Sequence, residues 1–274
     1  IANGVIAGPD VVTTYYNIGQ LYLQADNLPK GAENLERWIR AGGRPDQKQN
    51  FQMAAIYNKM NRNTDAIKYA EAALAQAGSQ PERQLFDFLN YLYDQTGQRA
   101  KQGALLERML VAFPQDKQLW ENTAGLYFAG NDERRAFEVI KAMYFAGFLK
   151  TEDELMRLVN FYNRFDVPYQ AAVILEKEMN AGRITKSAAH LDLLANLYQV
   201  AREHEKAIPV IRQLAQASNS GQAYERLGRS LFEIGKFKDA EAALQQAIQR
   251  GNLKAPAAAW AAIGKARLEL NDRA

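Results

Sequence analysis

Residues 221–254 read GQAYERLGRSLFEIGKFKDAEAALQQAIQRGNLK, and the order of bulky and small residues in this stretch indicates the architecture. In its first half, bulky and small residues recur with the spacing of one face of an α-helix. They are Tyr224, Leu227, Gly228 and Leu231. Gly235 interrupts that pattern, and a second amphipathic helix follows from Phe237. The stretch therefore predicts a hairpin of two helices, a first helix and a second helix joined by a tight turn.

The same pattern returns every 33 to 36 residues along the chain. Its anchor is a small or compact residue, at Gly19, Ala54, Asn90, Ala124, Val159, Ala195, Gly228 and Gly264. Three residues after the anchor stands a bulky side chain, at Tyr22, Tyr57, Tyr93, Tyr127, Tyr162, Tyr198 and Leu231. Twelve residues after the anchor most copies have alanine, at Ala66, Ala136, Ala171, Ala207 and Ala240. Such repetition predicts an all-α solenoid that grows by stacking hairpins.

Each repeated column has a physical reason. Gly228 and Ala240 let the two helices of a hairpin approach closely, because a larger side chain would force them apart. We expect the tyrosine column to be core, with each hydroxyl reaching a polar partner or water. Glycines follow the second helices as left-handed caps, at Gly42, Gly78, Gly147, Gly182 and Gly251.

The columns divide the chain into three parts. Residues 1–11 resemble the tail of a preceding repeat, residues 12–256 hold seven repeats, and residues 257–274 give the first helix of an eighth, truncated repeat. The repeats start near residues 12, 47, 83, 117, 152, 188 and 221. We expect the chain to have been cut from a longer protein.

Composition excludes several classes of function. A formal net charge of +3, without a block of like charge, gives no basis for nucleic-acid binding. The absence of cysteine excludes a disulfide framework, a thiolate metal site and a cysteine nucleophile. No apolar run approaches the roughly 18 residues that span a bilayer, so we expect no direct membrane insertion.

The order of bulky and small residues in this repeat resembles the tetratricopeptide repeat (TPR). The matching residues are Tyr224, Leu227, Gly228, Leu231, Ala240, Leu244 and Ala247. Other repeats depart from this pattern. Gly31 and Gln102 replace the alanine that usually stands twelve residues after the anchor (the small column), and Asn90 stands at an anchor itself. The resemblance implies a right-handed superhelical solenoid of about seven and a half repeats. It also implies a scaffold for protein–protein interaction rather than an enzyme.

Three segments carry a narrower resemblance. VPYQAA (167–172), EKEMNAGRI (176–184) and AREHEKAIP (201–209) are similar to envelope TPR proteins of Gram-negative bacteria that are encoded beside TonB–ExbB–ExbD genes. This resemblance implies a periplasmic scaffold that assists TonB-dependent uptake, with TonB, ExbB or ExbD components as candidate partners. The alternative is a cytoplasmic TPR adaptor or co-chaperone that reads a C-terminal peptide.

In TPR arrays the first helices line the concave side, and the resemblance gives two groups of candidate partner-binding residues there. The apolar stripe contains Tyr16, Leu23, Phe51, Tyr91 and Phe128. The polar ladder contains Asn160, Asn163, Arg164, Asn196, Gln199 and Arg229, with Asp153, Asp192 and Glu225 beside it. Amides can donate to and accept from a peptide backbone, and arginine suits a carboxylate. The hypothesis is that Asn160, Asn196 and Arg229 clamp an extended or helical segment.

Catalytic, cofactor and metal sites are not expected. His190 and His204 lie 14 residues apart without a cluster of metal-type ligands, so we interpret both as solvated surface histidines. A solenoid enzyme acting on saccharides is the third hypothesis. Its candidate acids would be Asp87, Asp94, Glu121 and Asp153. Exposed acids in a groove lack the burial that would raise a carboxyl pKa for catalysis.

Overall fold

The structure, a computed structural model, describes residues 9–78 and 81–270, and these contain fifteen α-helices and no strand. The chain divides into two compact units, with the boundary between Val139 and Ile140. Most of the predicted N-terminal tail lies outside the described residues, while its last residues, from Pro9, belong to the first helix.

Three complete helical hairpins and the start of a fourth form the N-terminal unit. Its helices are α1 (Pro9–Gln24), α2 (Leu28–Arg40), α3 (Gln47–Lys59), α4 (Asn63–Gln76), α5 (Arg83–Gln95), α6 (Arg99–Ala112), α7 (Lys117–Ala129) and the beginning of α8 (Glu133–Phe145). From α1 to α7, each helix packs on the next one in sequence. One continuous apolar core runs through these layers, from Ala32 to Leu119.

The C-terminal unit repeats this arrangement after the end of α8. Its helices are α9 (Glu152–Arg164), α10 (Pro168–Asn180), α11 (Ala188–Val200), α12 (His204–Ser218), α13 (Gly221–Glu233), α14 (Phe237–Arg250) and α15 (Pro256–Glu269). Successive helices from α9 to α15 are again packed on one another. The predicted all-α repeat of helical hairpins is confirmed.

Residues with a positive φ, in the left-handed region, lie in turns between successive hairpins and in the turns inside each hairpin. The glycine caps predicted after the second helices are confirmed, since all five have positive φ. In the turn inside each hairpin, the residue seven positions after the anchor also has a positive φ. Only Gly235 among these residues was identified from the sequence. The residues are Asp26, Asn61, Gly97, Asn131, Asp166, Arg202 and Gly235. Asp and Asn suit these turns because they tolerate the left-handed region better than most residues.

Small residues bring the helices of a hairpin together, as predicted. A Cβ on Gly228 would lie 2.6 Å from Cγ of Leu244 and 3.1 Å from the carbonyl oxygen of Ala240. All five alanines of the small column are fully buried. A larger side chain at these positions would therefore separate α13 from α14, and the equivalent pairs elsewhere.

The tyrosine column forms hydrogen bonds between hairpins. Five of its tyrosines are buried, and in four of these the hydroxyl donates to a glutamate on the second helix of the preceding hairpin. The pairs are Tyr57 with Glu36, Tyr93 with Glu71 at 2.7 Å, Tyr127 with Glu107 at 2.5 Å, and Tyr198 with Glu176 at 2.6 Å. The prediction of a core tyrosine with a polar partner is confirmed at these positions. The four glutamates, 17 residues after their anchors, were not predicted.

Because of these tyrosines, the free energy of unfolding should depend on pH in the alkaline range. Burial and the hydrogen bond to Glu107 raise the pKa of Tyr127 to about 12. The same causes raise the pKa of Tyr57, Tyr93 and Tyr198 well above the usual value. An unfolded tyrosine titrates near pH 10, so this contribution is fully present below about pH 10 and is lost as the pH rises through about 12.

We therefore expect the free energy of unfolding to fall between about pH 10 and pH 12. The measurement is urea unfolding followed by circular dichroism, alongside a titration of tyrosinate absorbance. Tyrosinate absorbance from the buried tyrosines should rise together with the loss of helix. Complete ionisation near pH 10 with the helices intact would contradict the buried tyrosine–glutamate pairs.

Candidate partner-binding surface

Arg226 on α13 holds together three side chains of α11. Its Nε donates to Oε1 of Gln199 at 2.8 Å, Nη1 donates to Oδ1 of Asp192 at 2.5 Å, and Nη2 donates to Oδ1 of Asn196 at 2.7 Å. Nε2 of Gln199 in turn donates to Oγ of Ser230 at 2.9 Å. We call these five residues the Arg226 cluster. It connects the first helices of two successive hairpins in the C-terminal unit.

The cluster has a fixed geometry. Its acceptors are four and three residues apart, so they share one face of α11. The planar guanidinium offers its donors as a rigid fork, and the Arg226 side chain is only 21% exposed. Because Gln199 accepts from Arg226 and donates to buried Ser230, its amide has one defined orientation. Asn196 is oriented in the same way, since it also donates to Asp192 at 3.3 Å.

Arg226 itself was missed by the sequence analysis. Asp192, Asn196 and Gln199 share one face of α11, and Arg226 follows one repeat later on the next first helix. This spacing was the sequence feature from which the contact could have been predicted. Arg226, which is not part of the predicted polar ladder, thus brings the two predicted residues Asn196 and Gln199 together.

The other members of the polar ladder are exposed. Arg229 is exposed and forms an ion pair of 2.6 Å with Glu225 on its own helix, and the side chain of Glu225 is only 14% exposed. The side chains of Asn160 and Asn163 are exposed on α9 and form no hydrogen bond among residues 9–78 and 81–270. Arg164 is exposed at the end of the same helix. The amides of Asn160 and Asn163 on α9 are therefore accessible to a partner, and so is the exposed side of the Arg229 guanidinium on α13.

Part of the apolar stripe packs into the core of the N-terminal unit. Tyr16 is half-buried, with its ring centroid 5.0 Å from that of Trp38. Phe51 is also half-buried and meets Phe88 edge-on at 5.4 Å. Leu23 covers the position where Gly31 lacks a side chain.

Tyr91 and Phe128 differ from the rest of the stripe. They are 46% and 38% exposed, on the first helices α5 and α7. Gly125, one turn before Phe128, is exposed as well, and a Cβ there would meet no atom within 4 Å. The exposed apolar part of the stripe is thus limited to Tyr91 and Phe128.

The side chains of His190 and His204 are 20% and 32% exposed, and each faces a carboxylate. Nδ1 of His190 lies 2.8 Å from the carbonyl oxygen of Thr185 and 3.7 Å from Glu152. Nδ1 of His204 lies 3.0 Å from Oε2 of Glu233. Hydrogen bonds from the backbone and hydroxyl of Thr185 lower the pKa of Glu152. These contacts connect helices within the C-terminal unit.

The described residues offer little for the enzyme hypothesis. Its four candidate acids are all exposed, and Asp87 is paired with Arg83 at 2.8 Å. Across residues 9–78 and 81–270, no three metal-type side chains are grouped so that they could hold an ion. Within the same residues, no helix is both long and apolar enough to cross a bilayer.

The tetratricopeptide repeat family model matches residues 193–251 and 225–273. This match supports the TPR resemblance. The matched part covers most of α11 and all of α12 to α15, including the Arg226 cluster apart from Asp192. A comparison with curated proteins finds no significant sequence match.

Several solved structures resemble the chain. A tetratricopeptide repeat protein from Parabacteroides merdae is 12% identical, with a TM-score of 0.37, over 93% of this chain and 98% of that one. MamA is 20% identical, with a TM-score of 0.41, over 55% and 85% of the two chains. YrrB, described as a TPR protein with an unusual peptide-binding site, is 12% identical, with a TM-score of 0.39, over 64% and 89%.

Proposed function

We propose that this protein is a scaffold that holds an extended or helical segment of a partner on the first helices of its C-terminal unit. The Arg226 cluster carries the proposal. A surface whose amides are already oriented loses less conformational entropy on binding than one whose side chains must be ordered. Amide side chains oriented by hydrogen bonds are suited to binding another polypeptide. A helix face that contacts only water does not need its side chains oriented.

The proposed contacts follow from the chemistry of the side chains. Asn160 and Asn163 each offer two donors and an acceptor, which match the carbonyl and N–H groups of a peptide backbone. Asn196 uses one N–H on Asp192 and retains a second for a ligand. The guanidinium of Arg229 is 57% exposed, so it can also bind a carboxylate of the partner. Backbone contacts give affinity, and the arginine selects an acidic side chain or a chain terminus.

Replacing Asn160, Asn196 and Arg229 together by alanine is expected to abolish partner binding. The free energy of unfolding should fall by about 2 kcal/mol, since the triple variant loses the hydrogen bond of Asn196 to Arg226 and the ion pair of Arg229 with Glu225, and the fold should remain intact. Binding is measured as the partner captured from a Gram-negative envelope extract, and stability by urea unfolding. Undiminished capture by the triple variant would reject the clamp.

A matched control changes the same number of exposed polar residues on second helices. It carries Asn180→Ala on α10, Gln213→Ala on α12 and Lys238→Ala on α14. We expect this variant to capture the partner as well as the unmodified chain. Equal losses in the two triple variants would show that binding does not depend on the first helices.

The narrower part of the proposal is a periplasmic protein that acts with a TonB–ExbB–ExbD system. Its support is the resemblance of residues 167–172, 176–184 and 201–209 to envelope TPR proteins. The test is the identity of the captured protein. Recovery of TonB, ExbB or ExbD would support this role, whereas recovery of cytoplasmic chaperones alone would reject it in favour of an adaptor that reads C-terminal peptides.

A further inference from the structure

A polar trough lies between α12, α13 and α14 of the C-terminal unit. The cavity measures about 400 Å³. Its floor is buried and is formed by Tyr224, Leu227, Leu231 and Ala243. Charged and amide side chains of α12 and α14 form its walls. None of the lining residues belongs to the Arg226 cluster, so the trough is a separate feature of the surface.

Arg250 is held in one orientation at the end of this trough. Its Nε donates to Oδ1 of Asn219 at 2.7 Å, and its guanidinium lies 4.2 Å above the ring of Tyr224. Asn219 is itself fixed as the left-handed C-cap of α12. Neither terminal nitrogen of Arg250 has a hydrogen-bond partner within the described part of the chain. The guanidinium therefore presents two unused donors in a fixed plane.

The opposite wall adds a second cation. Arg212 on α12 is exposed and has no ion pair with any described residue. Gln216 lies one helical turn beyond Arg212 on α12, and Gln246 lies one turn before Arg250 on α14, so each arginine has an amide beside it on its own helix. The acid in the lining, Asp239, lies eleven residues before Arg250 on the same helix, about 16 Å away along its axis. One end of the trough is thus cationic.

We propose that this end binds the anionic oxygens of a small polar ligand, either a phosphate or a carboxylate group. A fixed guanidinium with two free N–H groups matches both groups as a bidentate donor. Arg212 neutralises the remaining charge, and the glutamines supply further donors. This proposal is independent of partner binding on the first helices, because the two surfaces share no residue.

The experiment is a titration of the ¹⁵N-labelled protein with inorganic phosphate and, separately, with acetate, at constant ionic strength set with sodium chloride. We expect a saturable shift of the side-chain Nε–H resonance of Arg250 with at least one anion. Saturation with phosphate alone identifies a phosphate-bearing ligand, and saturation with acetate identifies a carboxylate. The substitution Arg250→Gln should weaken the affinity by about tenfold or more, read from the remaining shifts. The control Arg157→Gln removes an exposed arginine of α9 and should leave the affinity unchanged.

Two results would overturn the proposal: no saturation with either anion beyond the response to chloride, or an unchanged affinity in Arg250→Gln. If Arg250→Gln loses helical content because Asn219 loses its partner, Arg212→Gln decides the question. Arg212 has no described contact to lose, so its substitution should preserve the fold and still weaken anion binding. An unchanged affinity in that variant would equally overturn the proposal.

Discussion

Replacing Gly221 by alanine is expected to lower the free energy of unfolding of the C-terminal unit by about 3 kcal/mol or more. Gly221 is buried at the first position of α13, where the end of α14 crosses it. A Cβ there would overlap the carbonyl oxygen of Gly251 and lie 2.7 Å from that of Ala247. Both atoms belong to the backbone, so no side-chain rotation can relieve the overlap, and the helix ends would have to separate.

Gly264→Ala is the matched control for this substitution. Gly264 lies inside α15 of the same unit, and a Cβ there would meet no atom within 4 Å. Since alanine favours a helix over glycine by up to about 1 kcal/mol, this variant should be equally or more stable. Urea unfolding measures both. A Gly221→Ala variant as stable as Gly264→Ala would show that α13 and α14 do not approach as described.

Glu178→Ala is expected to cost about 3 kcal/mol, the second largest effect. The Glu178 side chain on α10 is fully buried. Its Oε1 accepts a hydrogen bond from the hydroxyl of Tyr144 at 2.6 Å, and its Oε2 lies 2.5 Å from Nε of Arg183. Burial and the carboxylate together raise the pKa of Tyr144 above its ordinary range. Alanine would leave the half-buried hydroxyl of Tyr144 without its acceptor, and a cavity in place of the buried carboxylate.

Two further variants isolate the cause. Glu178→Gln keeps an acceptor for Tyr144 but loses the charge that faces Arg183, so it should cost less than alanine. Glu205→Ala removes an exposed glutamate of α12 that has no partner among the described residues, and it should change stability by no more than about 0.5 kcal/mol. Urea unfolding should rank the variants in this order. A Glu178→Ala variant as stable as Glu205→Ala would contradict the role of the buried carboxylate.

Positions governed by spacing and size were predictable from the sequence. Gly228 and Ala240 recur in register with their equivalents, and only small residues allow helices to approach so closely. The left-handed glycines were predictable for the same reason, because Gly182 and Gly251 follow helices of regular length. The tyrosine column was predictable as core, because a bulky ring recurred beside the anchor.

Contacts between charged side chains could not be predicted in the same way. Glu71 and Glu176 look like ordinary surface glutamates of a second helix, and only the stacking of hairpins places a tyrosine hydroxyl beside them. The ladder position of Asn196 could be read from the repeat, but its link to Arg226 depends on how α11 and α13 are rotated. Arg250 likewise acquires its orientation from the ring of Tyr224.

The central claim is that the first helices of the C-terminal unit hold a polypeptide partner. Its most direct test places a photoreactive amino acid at Asn163 on α9 or at Asn180 on α10, two exposed asparagines on the first and second helices of one hairpin. After irradiation in Gram-negative cells, cross-linked partner is measured by mass spectrometry. We expect a cross-linked adduct from position 163 and none from position 180. An adduct from position 180 without one from position 163 would contradict the central claim.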